Sequence, residues 1–133
     1  MLLRWPPDFP EDCPPQEAYP ANGVYYRIVK NDPPEPGDFA SLYRQNRQLA
    51  DDRIQSGRAT QCQTMGLSVF ADGNEAVRRA IRFHLIGNKI ARLTLGPAAG
   101  KILPTPTNGD SHHTWWQAVA YDPTDGATVV INL

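Results

Sequence analysis

The chain has 133 residues, 41% of them hydrophobic, and its 13 basic and 14 acidic side chains leave a formal net charge of −1. This composition is typical of one soluble globular domain, which at this length buries about two-thirds of its unfolded surface without metal or disulfide staples. The longest aliphatic run, Val129 to Ile131, is far shorter than the roughly 20 apolar residues that span a bilayer. The sequence therefore excludes a transmembrane helix and predicts no membrane partner.

The N-terminal part of the chain is rich in proline. Nine of the thirteen prolines lie among the first 36 residues, which argues against a helix or a central strand there. We expect a proline-rich arm over residues 1–22 and a single domain over residues 23–133. Because aromatic side chains offer a large apolar area, the arm is expected to lie on the domain through Trp5, Phe9 and Tyr19.

The start of the chain and its cysteines bear on the compartment. Trp5 and its neighbouring prolines stand where a signal peptide needs 7 to 15 apolar residues. Cys13 and Cys62 are 49 positions apart and form no CxxC motif. We therefore expect two reduced thiols and a cytoplasmic location, since disulfides are rare in the cytoplasm.

Strand patterns recur along the chain after the arm. Alternating, β-branched or aromatic segments predict strands at residues 24–29, 66–70, 90–95, 111–119 and 127–133, with a further short strand at 101–103. On the strand at 90–95, Ala91, Leu93 and Leu95 are expected to face inward. Residues 104–110 are expected to form a polar loop.

Two helical regions are predicted. Residues 38–65 have rough helical spacing and indicate one irregular helix with a loop. Asp72 and Glu75 have the spacing of a capping box, which predicts a well-defined helix after them. Its apolar stripe is expected to consist of Ala76, Val77, Ala80, Ile81 and His84. Since strands outnumber helices, the fold class is α+β, on a mixed or antiparallel sheet that is either continuous or split.

Charge is uneven along the chain. Residues 76–109 hold six basic side chains and no acidic one, whereas residues 1–40 hold three basic and seven acidic ones. Arginine outnumbers lysine ten to three, and the guanidinium fork suits phosphate and carboxylate. The basic segment indicates an anionic ligand; the alternative is that its arginines face the acidic N-terminal block, residues 1–40, or the solvent.

The most unusual segment runs from His112 to Gln117. Adjacent side chains of a strand point to opposite faces, so His112 and His113 cannot share one metal ion, and no metal site is predicted. One histidine is instead expected at a polar surface, as a hydrogen-bonding or acid/base group. Trp115 and Trp116 also lie on opposite faces, so one of them is expected outside the core. The alternative is a packed strand whose histidines only satisfy hydrogen bonds.

Arg27 and Ser68 are the other candidates. Arg27 stands mid-strand among apolar neighbours and must find a carboxylate, a ligand or the sheet edge. Ser68 interrupts an apolar strand just before a helix N-terminus, a natural anion site. If the two strands are adjacent, both residues face one ligand, and we expect at least one histidine within about 8 Å of the side-chain atoms of Arg27 or Ser68. The alternative for Ser68 is a serine bonded to its neighbours.

Arg27 lies in a Tyr-Tyr-Arg strand, and Ser68 lies in a later Gly-Leu-Ser-Val-Phe strand that an alanine-rich helix follows. This order resembles the first two motifs of small bacterial ADP-ribosyltransferase-like domains. The resemblance implies a split mixed β core and NAD as cofactor, held by Arg27 and Ser68, with Trp115 or Trp116 stacking on a ring. That family carries a catalytic glutamate on a late strand, whereas every glutamate here lies at or before position 75. By position, Gln117, His112 or His113 would have to take that role.

The sequence thus predicts an NAD- or nucleotide-binding domain of ADP-ribosyltransferase-like type, in a toxin or conflict-system setting. The alternative is a non-enzymatic interaction module that binds a protein or nucleic acid through its basic segment and its proline-rich arm.

Overall fold

The computed structural model describes residues 2–106 and 109–133, and at its centre is a seven-stranded sheet of order β1-β5-β6-β3-β2-β4-β7. The strands are β1 (Tyr19–Pro20), β2 (Gly23–Val29), β3 (Leu67–Phe70), β4 (Lys89–Leu95), β5 (Gly100–Pro104), β6 (His112–Gln117) and β7 (Ala127–Asn132). The helices are α1 (Leu42–Gln45), α2 (Arg47–Gln55), α3 (Gln61–Thr64) and α4 (Gly73–Arg82), with 3₁₀ turns at Pro36–Phe39 and Pro97–Ala99. Each described strand pair is antiparallel, which confirms the predicted α+β class and selects the antiparallel alternative.

The inward-facing residues of β4 are as predicted. Ala91, Leu93 and Leu95 are buried, while Arg92 and Thr94 between them are exposed. The period-2 pattern places the three apolar side chains on one face of the sheet, because successive side chains of a strand point to opposite faces.

The two faces of the sheet carry separate cores. One face packs Tyr25, Val69, Leu93, Ile102 and Trp115 among others. The other face, under α4, packs Ile28, Phe70, Ala76, Ala80 and Ile90. Since His112 lies opposite Phe70 in the register of β6 with β3, His112 and Thr114 face the α4 side, and His113 faces the other.

Helix α4 begins as predicted but buries a narrower stripe. Asp72 caps it by accepting a hydrogen bond from the Asn74 amide at 2.9 Å. Glu75 does not complete the capping box, since its carboxylate accepts the Ser111 amide and hydroxyl instead, both at 2.9 Å. The expected burial of Ile81 and His84 is wrong: both are exposed, because the helix packs through its two buried alanines and ends at Arg82, before His84 is reached.

Residues 38–65 form several short helices rather than one. Asn46 leaves the helical conformation between α1 and α2, and its side chain caps α2 by accepting from the Leu49 amide. Gly57, at φ +77°, follows the end of α2, where a left-handed residue stops a helix. Thr60 then caps α3. No described helix has the length and apolar character that a membrane span needs.

The N-terminal arm is fastened to the domain by several contacts. Its strand β1 pairs with β5, and the Val119 amide donates to the Arg4 carbonyl at 2.9 Å. Cys13 and Cys62 form a disulfide with Cα atoms 5.4 Å apart, so the expected pair of reduced thiols is wrong. Sequence spacing carries no information on that proximity, which the fold creates by laying the arm over α3. The disulfide removes the reduced thiols from which a cytoplasmic location was argued, because disulfides are uncommon in that compartment. Cytoplasmic location stays a prediction.

The segment between β5 and β6 is described only in part. The short strand predicted at residues 101–103 is confirmed as β5, which is one residue longer at each end, from Gly100 to Pro104. The predicted polar loop over residues 104–110 includes positions 107 and 108, which lie outside the described residues.

Candidate functional site

A cleft of about 800 Å³ opens on the α4 side of the sheet. Its floor includes Ile28 from β2, Ser68 and Phe70 from β3, and His112 and Thr114 from β6. Its walls are the helical segment over residues 40–64 on one side, and α4 with the turn that follows it on the other. A concave site of this volume is in the usual range for small organic ligands.

Arg27 closes the gap where β2 and β3 separate. The register of these strands is limited to Tyr26 opposite Phe70. Beyond that pair the guanidinium of Arg27 donates to the carbonyls of Ser68 at 2.8 Å, of Asp38 at 2.9 Å and of Ala40 at 3.3 Å. Arg27 therefore joins both strands to the segment that leads into α1.

The charge state of Arg27 follows from its surroundings. Burial lowers the pKa of Arg27 to about 10, against the opposing effect of Asp38, so the group is cationic at neutral pH. Three of its five N–H groups are engaged with carbonyls. The role of phosphate clamp stays a prediction, and it would depend on the remaining two N–H groups.

Asp38 is the one carboxylate among the described residues of the cleft wall, and its oxygens are occupied. They accept the Lys30 amide at 2.8 Å, the Glu35 amide at 2.9 Å and the Asn31 side-chain amide at 3.1 Å. Burial works to raise the pKa of Asp38, but these hydrogen bonds and the nearby Arg27 outweigh it and hold that pKa below its usual value. Asp38 thus organises its own loop rather than neutralising the other cations of the cleft.

Three further arginines line the cleft, namely Arg53, Arg58 and Arg79. Within the described part of the chain, the ion pairs are Arg44 with Asp8 and Arg47 with Asp51, so none of these three has a carboxylate partner. The pKa of Arg79 is lowered first by burial and then by the positive charges of Arg53 and Arg82. Cations from α2 and α4 thus crowd one cleft and favour an anion between them.

Two buried polar atoms of the cleft have no hydrogen-bond partner among the described residues, Ser41 Oγ and His112 Nε2. The other ring nitrogen of His112 lies 2.8 Å from the Thr105 carbonyl oxygen. Burial is the largest influence on the pKa of His112 and lowers it, so the imidazole is neutral at physiological pH.

The structure brings Arg27, Ser68 and His112 into one cleft, which is the predicted convergence of an arginine, a serine and a histidine. Ser68 lies opposite Thr114, and His112 is two residues further along the same face of β6. The individual roles of the three residues stay predictions.

The other predicted site residues lie elsewhere. His113 is on the opposite face, where its Nδ1 donates to the Ser111 carbonyl and its ring packs edge-on against Tyr25. Gln117 faces the same way and donates to the Tyr121 carbonyl at 3.2 Å. Neither residue lines the cleft.

Neither tryptophan of β6 is outside the core, so that expectation is wrong. Trp115 is 0% and Trp116 1% exposed, and their indole N–H groups donate to the carbonyls of Ala99 and Cys62. Both faces of β6 are covered here, because the disulfide-linked arm packs over Trp116 while the larger core encloses Trp115. Neither ring is positioned to stack on a ligand in the cleft.

Sequence reasoning did not single out Ser41, Arg53 or Arg58. All three lie in residues 38–65, where the helical periodicity is weak. The high content of polar residues in that segment was the signal that could have indicated a binding site. Among the described residues, no group of three or more potential ligands could hold a metal ion.

No family model, no curated protein and no solved structure matches the chain.

Proposed function

We propose that this chain binds a phosphate-bearing nucleotide in the cleft, with NAD as the ligand that the sequence resemblance indicates. The observation that carries the proposal is the pair Arg53 and Arg79, which belong to different helices, line one cleft and have no carboxylate partner among the described residues. The positive charge of Arg53 contributes to lowering the pKa of Arg79, so the two cations repel each other in the free protein. A bound phosphate would relieve that repulsion and accept charge-assisted hydrogen bonds from both.

The apolar part of the cleft supports an organic ligand rather than a bare anion. Leu42 and Leu49 line one wall, and Leu85 and Ile86 line the other, with Phe70 on the floor. Leu85 is 82% exposed and has little packing of its own to lose. A base or nicotinamide ring placed between these walls would bury that apolar surface.

The same resemblance supplies a reaction for the proposal, namely hydrolysis of NAD to nicotinamide and ADP-ribose. In that reaction the bond from the ribose to the nicotinamide nitrogen breaks, and water supplies the new hydroxyl and releases a proton. His112 is neutral, and its Nε2 has no partner among the described residues, so a water that donates to Nε2 in place of a ligand hydroxyl can pass that proton to it. Release of nicotinamide, followed by chromatography, would test this step separately from binding.

The binding experiment is calorimetric titration of NAD, AMP and pyrophosphate into the wild type, Arg53→Gln and Arg79→Gln. Each substitution is expected to weaken binding of all three probes at least tenfold, because one charge-assisted hydrogen bond contributes about 1.5–3 kcal/mol. Arg78→Gln is the matched control, since Arg78 is the neighbour of Arg79 on α4, is exposed and does not line the cleft. Absence of heat with millimolar NAD and pyrophosphate, or an equal loss in the control, would contradict the proposal.

One surface observation favours the alternative of a non-enzymatic module that binds nucleic acid. Ile81 is 65% and Leu85 82% exposed at the end of α4, beside the exposed cations Arg78 and Arg82. Fluorescence anisotropy with a labelled single-stranded oligonucleotide tests this candidate: binding should weaken steeply with salt and be lost in the Arg78→Gln, Arg82→Gln double variant. Arg92→Gln, at an exposed strand position, serves as its control. No change in anisotropy at low salt would remove the candidate.

A further inference from the structure

Ser41 Oγ and His112 Nε2 are two exceptions to a general rule of protein interiors. Buried polar atoms in native proteins nearly always have a hydrogen-bond partner. Ser41 is 6% and His112 3% exposed, and neither of these atoms has a partner among the described residues. The two residues come from distant parts of the chain, yet both line the same cleft. Ser41 also lines a smaller pocket of about 150 Å³, but the large cleft is the one that Ser41 and His112 share, and a ligand bound there would supply both missing partners.

The hydrogen bonds of His112 determine what its free nitrogen can do. His112 Nδ1 lies 2.8 Å from the Thr105 carbonyl oxygen and 2.9 Å from Thr105 Oγ1. Because a carbonyl oxygen only accepts, we assign the proton to Nδ1, where the carbonyl and the hydroxyl oxygen can both accept it. In the neutral ring Nε2 then carries a lone pair and no proton. Thr105 Oγ1 lies 2.9 Å from Thr114 Oγ1, so Thr105 is itself held in place. His112 therefore presents a fixed acceptor and calls for an N–H or O–H donor.

Ser41 is held at the cleft wall by its backbone rather than by its hydroxyl. It occupies the N-cap position of α1, yet its side chain makes no capping hydrogen bond. The preceding carbonyl, of Ala40, accepts from Arg27, and the Ser41 carbonyl accepts from the Arg44 and Gln45 amides. The hydroxyl is thus free to donate to a ligand or accept from it.

We propose that Ser41 Oγ and His112 Nε2 form an uncharged subsite that binds the hydroxyl or amide donors of a nucleoside, beside the arginines that take its phosphate. This inference rests on the proposed nucleotide binding and specifies it: the ligand has an anionic part and an uncharged, donor-bearing part. Inorganic anions then occupy only the arginine part of the cleft, whereas nucleotides occupy both.

The test compares pyrophosphate with AMP and NAD by calorimetric titration of the full chain. In His112→Asn the new amide stands near the position of Nδ1 and keeps a donor for Thr105, but no atom replaces Nε2. We expect at least a tenfold loss of affinity for AMP and NAD, with affinity for pyrophosphate unchanged within twofold. His112→Gln, which places an amide oxygen near the lost nitrogen, should recover part of the affinity. His113→Asn, on the opposite face of the sheet, is the matched control and should change neither.

Ser41→Ala gives a second variant that does not depend on the histidine. Because its hydroxyl has no partner among the described residues, the substitution should leave the thermal midpoint unchanged or higher while weakening AMP binding at least threefold. A purely structural Ser41 would instead lower the midpoint and leave affinity unchanged.

The outcomes separate this inference from the function on which it rests. Unchanged nucleotide affinity in both His112→Asn and Ser41→Ala, with tight pyrophosphate binding retained, would overturn the uncharged subsite and leave the anion site standing. A wild type that binds neither pyrophosphate nor nucleotide would overturn both. Equal loss of pyrophosphate and AMP binding in His112→Asn would also refute the division into two subsites.

Discussion

Replacing Arg27 by alanine is expected to destabilise the fold, because this side chain fastens three separate pieces of backbone. Its guanidinium donates to the carbonyls of Asp38, Ala40 and Ser68. Truncation leaves these carbonyls without that donor, at the place where β2 and β3 no longer pair with each other. The wall that carries Ser41 then loses its attachment to the sheet.

The magnitude follows from the burial of each bond. Hydrogen bonds to charged groups contribute about 1.5–3 kcal/mol each when shielded from water. The bonds to Asp38 and Ala40 are part-buried, whereas the bond to Ser68 is exposed, and water can replace it there. Two shielded bonds at the lower value give a loss of about 3 kcal/mol in the free energy of unfolding.

Urea unfolding followed by tryptophan fluorescence measures this loss, since Trp115 and Trp116 are buried in the folded state. Arg27→Lys should recover little of it, because a single ammonium cannot reproduce a fork that reaches three carbonyls. Arg92→Ala, at an exposed position of β4, should remain within about 0.5 kcal/mol of the wild type. A loss below about 1 kcal/mol for Arg27→Ala, together with abolished nucleotide binding, would refute the structural role and support the predicted role of Arg27 as a phosphate clamp.

Three further predictions concern stability. The Cys13→Ser, Cys62→Ser double variant should lose about 4 kcal/mol in the chain-entropy account of a 49-residue separation; equal urea midpoints with and without reductant would contradict the disulfide. Burial lowers the pKa of His112 in the folded protein, so as the pH falls the unfolded chain binds a proton at this residue before the folded protein does. The free energy of unfolding should therefore fall as the pH drops below about 6.5. If His112→Asn shows the same pH dependence as the wild type, another group is responsible for it. Because the native pKa of Asp38 is also lowered, its contribution is complete above about pH 4 and is lost below it. Asp38→Asn should therefore be less stable than the wild type by about 1–3 kcal/mol at pH 7, and the difference between the two thermal midpoints should narrow as the pH falls below about 4. A difference that stays constant over that range would exclude this linkage.

The strands and the cap of α4 could be predicted from the sequence because their signals are local. The alternation of apolar and polar residues in β4 and the capping side chain of Asp72 each involve only a few neighbouring residues. The structure contains both features. The segment leading to α3 could not be predicted as three helices, since the interruptions depend on single residues such as Asn46 and Gly57. A hydrophobic pattern is assessed over a window of several residues, so a single residue that ends a helix has little effect on it.

The candidate site was predictable only in part, because it depends on contacts between distant residues. Arg27 and Ser68 stood out as polar residues in apolar strands, and His112 as half of a tandem pair. Burial of Trp116 and the disulfide of Cys13 both depend on where the arm lies, which no local pattern specifies. The arginines of α2 carry no signal of their own until the fold sets them opposite α4.

The most direct measurement of the central claim is a titration of the ¹⁵N-labelled chain with AMP, followed by the backbone amide resonances. Binding in the cleft predicts concentration-dependent shifts at Ser41, at Arg53 and the turn after it, at Arg79 and at His112, with β7 unaffected. Shifts confined to β7 or to the exposed end of α4, or no shifts at millimolar AMP, would contradict the account.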